Sequence, residues 1–224
     1  MPPSTSNFSY AAHLYPYAHP LPTIIPTILP HLPPRTHIVA GGLIFQPPST
    51  ETQEPKILLL RRALTDSLPG IWEIPGGSCD PATDASVLAG AAREIREETG
   101  LMVARFVELV AVDEWERVRV DGVRKVVKFT FLVEVEGPTS ISGDRGVGSA
   151  PGEVGSGDCW IRLDPAEHDA FVWATEEEVR RGFVPLGESD GEEAGVRLRF
   201  LETQRRNYLE GFRVFAASCS DACK

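Results

Sequence analysis

Apolar and polar positions divide the chain into a proline-punctuated start and a region of short periodic segments. Nine of the nineteen prolines fall within the first 34 positions. Proline fixes φ and removes a backbone donor, so this stretch is expected to form neither a helix nor an inner strand, and residues 1–36 are predicted to be an extended or disordered arm. Folded character begins with an apolar, β-branched strand over 37–45, then a polar loop over 46–55 and a second strand over 56–61. Residues 68–77, rich in Pro and Gly, predict a loop with a short extended piece. The pattern then gives a helix over 84–99 and a strand over 103–112. Asp121-Gly122, a strong hairpin signal, precedes a strand over 126–135. Residues 137–158 are a Gly/Ser-rich insertion, predicted to be flexible. Residues 171–174 form a short strand, and Thr175-Glu-Glu-Glu178 matches a capping box opening a helix through Arg181. An acidic loop over 188–195, a last helix over 196–212 and a polar tail over 216–224 complete the pattern. Strands and helices alternate without regular βαβ spacing, which predicts a mixed sheet flanked by helices in one domain over 37–215.

Composition narrows the functions available. Lys+Arg number 22 against 32 Asp+Glu, a formal net charge of −10. Such a chain is a poor general binder of nucleic acid polymers, which are held by basic patches, although it can handle phosphates where a metal ion offsets the charge. The four cysteines, at 79, 159, 219 and 223, make no zinc spacing and no disulfide framework. No run of apolar residues is long enough to span a membrane, and residues 21–30 are interrupted by proline without a basic segment before them. The expected setting is cytoplasmic, with free thiols.

Candidate chemistry concentrates in residues 76–101. Asp84 or Ser86 can cap the helix at its start, and Gly100 suits a left-handed cap at its end. Leu88, Ala91, Ala92 and Ile95 form an apolar stripe. Glu94, Glu97 and Glu98 are related by i, i+3 and i+4, so their carboxylates are neighbours, and like charges at that spacing repel. A hard cation such as Mg²⁺ or Mn²⁺ would relieve that repulsion, since carboxylate, carbonyl and water oxygens suit it. A solvated acidic face is the alternative on the helix alone. Arg93 lies four residues before Glu97 and can hold a carboxylate in place.

The whole segment, Gly76-Gly77 followed by Arg93-Glu94-Ile95-Arg96-Glu97-Glu98-Thr99-Gly100-Leu101, resembles the signature of the Nudix hydrolase family, Gly-x5-Glu-x7-Arg-Glu-U-x-Glu-Glu-x-Gly-U with U aliphatic. Flanking text agrees at Leu58-Leu-Leu-Arg-Arg62 and Gly70-Ile-Trp-Glu-Ile-Pro-Gly-Gly77. The resemblance spans residues 37 to about 180. There are two extra residues between Gly77 and Arg93, and Ala85 stands where the first Glu is expected, with Asp84 beside it as a partial substitute.

The resemblance implies an α/β/α sandwich and hydrolysis of a diphosphate linkage by water attack at phosphorus. It implies Glu94, Glu97 and Glu98 as ligands of Mg²⁺ or Mn²⁺, the Gly76 carbonyl as a further ligand, and Arg93 as the residue orienting carboxylates. Glu167, in a stretch resembling the family's Glu-His…Trp-x-Thr, is the candidate general base or extra ligand. His168 beside it is read as a loop histidine. Arg61 or Arg62 could grip phosphate bidentately, though adjacent strand residues face opposite ways. Trp72 could stack on a base or pack in the loop. Cys79 is taken as incidental, and Lys125 and Lys128 as facing solvent. The subgroup marks for ADP-ribose, dinucleoside polyphosphate and coenzyme A substrates are absent, leaving a nucleoside diphosphate derivative or (deoxy)nucleoside triphosphate as the expected partner. The alternatives are a prenyl diphosphate, with Trp72, Phe129 and Phe131 for an apolar pocket, and a non-catalytic ligand-binding module.

Overall fold

The computed structural model describes residues 8–46, 54–65, 67–120, 122–137, 161–189 and 192–222. Its strands are β1 (Ser9–Tyr10), β2 (His37–Gln46), β3 (Lys56–Arg62), β4 (Trp72–Glu73), β5 (Gly76–Ser78), β6 (Val103–Arg119), β7 (Gly122–Val135), β8 (His168–Thr175), β9 (Phe183–Ser189) and β10 (Glu192–Arg197). The α-helices are α1 (Leu21–Ile28), α2 (Val87–Thr99), α3 (Glu176–Arg181) and α4 (Glu202–Ala222), and a 3₁₀ helix covers Ala12–Ala18.

Strands β1, β6, β7, β2, β3 and β4 lie side by side in that order, with β5 paired to β2 and β8 to β3. Parallel pairing (β1 with β6, β2 with β7) coexists with antiparallel pairing elsewhere, so the sheet is mixed. The centre of the sheet is apolar on both faces, as a strand covered on two sides requires. Along β3, Leu58 and Leu60 enter one core while Ile57 and Leu59 enter the other. The same alternation separates Phe171 and Trp173 from Ala170, Val172 and Ala174 on β8. One core is covered by α2 through Leu88, Ala91 and Ile95, the other by α4 through Tyr208 and Phe212. The result is the expected sandwich of helices about a mixed sheet.

The proline-rich start differs from expectation. Residues 8–36 are not an extended arm. They contain β1, the 3₁₀ helix and α1, and they bury Leu14, Leu21, Ile24, Ile25 and Leu32 in the first core. Tyr17 packs edge-on against Phe129 and Phe131, at 5.4 and 5.6 Å between ring centroids, and Phe8 against Phe106 at 5.0 Å. A helix survives there because Pro22 sits in the first turn, where a missing N–H costs nothing. Pro26 removes a single bond from a short helix whose Leu21, Ile24, Ile25 and Ile28 keep helical spacing.

Two corrections concern the end of the chain. The last helix is Glu202–Ala222, not 196–212, and the expected tail over 216–224 continues that helix as far as Ala222. Val196 and Arg197 pair instead with Val184 and Phe183 in the β9–β10 ribbon, where a bulge falls between Ala194 and Gly195. The hairpin between β6 and β7 turns where expected, with Gly122 at φ 124°, but its strands are longer than expected. Asp121 and the 138–158 part of the Gly/Ser-rich insertion lie outside the described residues. Among the described residues no helix is long and apolar enough to cross a membrane.

Candidate active site

The site is assembled from the β5 loop, α2 and the turn before β8. Ser86 caps α2, its hydroxyl accepting the N–H of Ala89 at 3.1 Å, and Gly100 closes the helix in the left-handed region at φ 76°. Helix α2 therefore starts at Val87, not at 84. The residues before it fold into a turn in which Asp84 is buried and accepts the N–H of Asp80.

Arg93 organises this end of the helix. Its Nε and Nη2 donate to the two oxygens of Asp84 at 2.8 and 2.9 Å. The remaining contacts run to Glu97 at 2.7 Å, to Glu94 at 2.9 Å and to the carbonyl of Ser78 at 3.0 Å. Asp84 thus holds the arginine bidentately, while Ala85, where the signature has Glu, is exposed. Burial alone would raise the Asp84 pKa, but the Arg93 and Asp80 hydrogen bonds and the Arg93 charge outweigh it and hold the carboxyl below its ordinary range.

The three helix carboxylates do not share one environment. Glu97 is exposed and tied to Arg93. Glu94 is half-buried beneath the β5 loop, where a Cβ added to Gly77 would lie 2.5 Å from its Oε2. Glu98 is buried and accepts the N–H of Gly76 at 2.8 Å. Gly76 has φ 148°, a conformation L side chains rarely adopt. Burial, followed by the nearby charges of Glu73, Glu94 and Glu167, pushes the Glu98 carboxyl well above the usual range against that single N–H. Burial, with Glu97 and Glu167, also raises Glu94 despite Arg93.

Glu98, Glu167 and His168 each bring a donor atom within 4.8 Å of one another. His168 is not the loop histidine expected from the sequence. It opens β8 and is 2% exposed, with Nε2 3.3 Å from Glu73 Oε1 and a buried Nδ1 that has no hydrogen-bond partner among the described residues. An orphaned imidazole nitrogen beside two carboxylates, one of them buried among like charges, fits a divalent cation. Glu73 was not singled out from the sequence, and nothing in its surrounding residues marked it. It is buried, pairs with Arg62 and His168, and its burial is outweighed by these partners and Lys128, which hold its pKa down.

Other expected residues are placed differently. Arg62 is bound by Glu73 and by the Ser67 carbonyl at 2.5 Å, whereas Arg61 pairs with Asp169 at 2.6 Å. Trp72 is 1% exposed, with its Nε1 donating to the Arg197 carbonyl at 3.1 Å and the Arg61 guanidinium 5.8 Å from its ring centre. A residue so enclosed is not available to stack on a substrate base, because β4 lies under the second core. Phe129 and Phe131 are fully buried too, so the apolar pocket expected for a prenyl diphosphate is filled by the molecule's own core. Lys125 pairs with Glu116 at 2.8 Å, as expected of a solvent-facing residue, while Lys128 lies near Glu73.

Comparison with known proteins agrees with this geometry. The family model of the NUDIX domain matches residues 36–186. No curated protein sequence matches the chain. Among solved structures, a MutT/nudix family protein from Enterococcus faecalis is similar at 16% identity and TM-score 0.50, covering 81% of this chain and 62% of that one. A MutT NUDIX hydrolase from Burkholderia pseudomallei shows 18% identity and TM-score 0.48, covering 78% and 97%. An Ap4A hydrolase from C. elegans shows 15% identity and TM-score 0.45, covering 82% and 99%. With its signature carried on the β5 loop and α2, and with the domain matched over most of its length, the chain belongs to the Nudix hydrolase family and is an enzyme of the pyrophosphohydrolase type.

Proposed function

We propose that the chain hydrolyses a diphosphate linkage in a nucleoside diphosphate derivative or (deoxy)nucleoside triphosphate, using Mg²⁺ or Mn²⁺ held by Glu94, Glu97, Glu98 and Glu167 with His168 at the buried end. The observation that carries this reading is Glu98, a buried carboxyl raised by burial and then by Glu73, Glu94 and Glu167, with donor atoms of Glu167 and His168 within 4.8 Å. When bound, a divalent cation offsets charge on the phosphoryl oxygens and makes water a better nucleophile. The chain's own groups do the positioning. Arg93, fixed by Asp84, orients Glu94 and Glu97, and Gly76 fixes Glu98 through its N–H and offers its carbonyl as a further ligand. Glu167, exposed at the rim, takes the proton of the attacking water. Of the two strand arginines, Arg61 is the better phosphate ligand, its side chain 39% exposed against 20% for Arg62.

The test is release of phosphate or pyrophosphate from nucleoside triphosphates, nucleotide sugars, ADP-ribose, dinucleotides and prenyl diphosphates, with Mg²⁺ or Mn²⁺, beside Glu97→Gln and Glu98→Gln. Metal-dependent release that both variants lose supports the enzyme and identifies its substrate class. A folded protein that releases nothing from the panel would instead be a ligand-binding module.

A further inference from the structure

Between α2 and the turn before β8 lies a polar cavity of about 420 Å³, lined by Arg93, Arg96, Glu97, Arg162, Asp164 and Glu167. Its arginines are of two kinds. Arg93 is spent on Asp84, Glu94 and Glu97. Arg96 and Arg162 have no side-chain hydrogen bond or ion pair among the described residues. The two are brought to one cavity by a backbone tether, the Arg162 N–H donating to the carbonyl of Thr99 at 2.9 Å, which fastens the 161–167 segment to the end of α2.

An arginine in the last turn of a helix has an ordinary explanation in the helix dipole, and Arg96 satisfies it. That explanation does not account for Arg162, which belongs to no helix yet faces the same cavity. Nor does either arginine turn to the cavity's own carboxylates. Asp164 is engaged with the turn itself, accepting the N–H of Ala166 at 2.9 Å. Two unpaired guanidiniums flanking Glu97 and Glu167 are fork-shaped donors suited to phosphate.

We infer that Arg96 and Arg162 form an anion subsite for a phosphoryl group other than the one attacked, selecting substrates with a chain of three or more phosphates. This rests on reading Glu97 and Glu167 as part of the hydrolytic centre. A cation held there leaves the cavity with an excess of positive charge, and a polyphosphate tail is the complement to it. A diphosphate joined to a neutral group would leave the two arginines unused.

The full chain is titrated calorimetrically with inorganic triphosphate and with orthophosphate in Mg²⁺, as wild type, Arg96→Ala, Arg162→Ala and the double variant. Arg180→Ala, on α3 and outside the cavity, is the charge control. Wild type is expected to prefer triphosphate, and each cavity substitution to weaken triphosphate binding roughly 10-fold, the scale of one charge-assisted hydrogen bond, while Arg180→Ala does not. Both side chains are exposed, so unchanged melting temperatures are expected. Triphosphate binding that is absent in wild type, unaffected by the cavity substitutions or equally weakened by Arg180→Ala overturns the subsite, whatever the substrate panel shows. Arginine-dependent triphosphate binding beside a panel without turnover supports the anion subsite and places the failure in the hydrolytic reading.

Discussion

Replacing Asp84 with Ala removes the group that fixes Arg93. Three hydrogen bonds disappear, two from the guanidinium and one from the Asp80 N–H. Bonds to charged groups are worth roughly 1.5–3 kcal/mol each, but Arg93 keeps Glu94, Glu97 and the Ser78 carbonyl, so the net loss is set at about 3 kcal/mol. For a domain of this size that corresponds to a fall in Tm of roughly 6–12 °C. Because Arg93 in turn positions Glu94 and Glu97, metal affinity or turnover should fall about 10–100-fold, the usual scale for groups that orient metal ligands. The loss is also pH-dependent. Asp84 has a depressed pKa in the folded protein, so its contribution is complete above the ordinary aspartate range and disappears as pH falls through the folded value. The Tm difference between wild type and Asp84→Ala should therefore be widest near neutrality and close towards strongly acidic pH. The assay is a melting series across pH with metal titration at pH 7. Adding Ala85→Glu to the Asp84→Ala background should not restore activity, because position 85 is exposed. Wild-type melting and metal affinity in Asp84→Ala, or recovery in the double variant, would refute the assignment.

Three further outcomes follow from the fold. Ile24→Ala, in the segment over the first core, should destabilise the protein by about 2–5 kcal/mol in urea denaturation, and a negligible change would mean that the segment is not part of the folded unit. Gly77→Ala puts a methyl against the Glu94 carboxylate and should lower metal affinity measured by calorimetry more than it lowers Tm; equal metal affinity would contradict the close approach. Cys219 is exposed, whereas the Cys79 thiol is buried and pushed up to about 12 by burial and then by Asp84 and Glu94, so alkylation at pH 8 followed by peptide mapping should modify Cys219 first and Cys79 only on unfolding.

How much of this was legible depended on whether the signal was local. Helix α2 could be read because its caps, Ser86 and Gly100, and its apolar stripe act within a few residues of one another. The strand centres were legible from apolar runs, and Thr175 from its capping box. In the proline-rich start the helical spacing of Leu21, Ile24, Ile25 and Ile28 is present in the sequence, but the density of proline masks it. Pro22 was harmless because it lay in the first turn. The burial of His168 and Trp72 was not legible, since each is enclosed by residues distant in sequence: Glu73 lies beside His168, and the Arg197 carbonyl accepts from Trp72. Arg162 entered the cavity through a backbone bond to Thr99 that no motif announces. Val196 and Arg197 fell to a strand rather than to the last helix because they pair with Val184 and Phe183 on β9, more than ten residues back in the sequence.

The parallel pairing of β1 with β6 has a consequence for how the molecule is made. Ser9 and Tyr10 pair with Arg105 and Phe106, so β1 must wait for about a hundred further residues to be synthesised before it can find its partner. During that interval Leu14, Ile24 and Ile25 lack most of their partners in the first core, and Tyr17 has neither Phe129 nor Phe131 to pack against. Contacts so distant along the chain are slow to form and leave hydrophobic surface exposed meanwhile. Segment 8–36 thus leaves the ribosome well before the strands it packs on, and crowded or rapid expression at high temperature is where this chain should be most prone to aggregate.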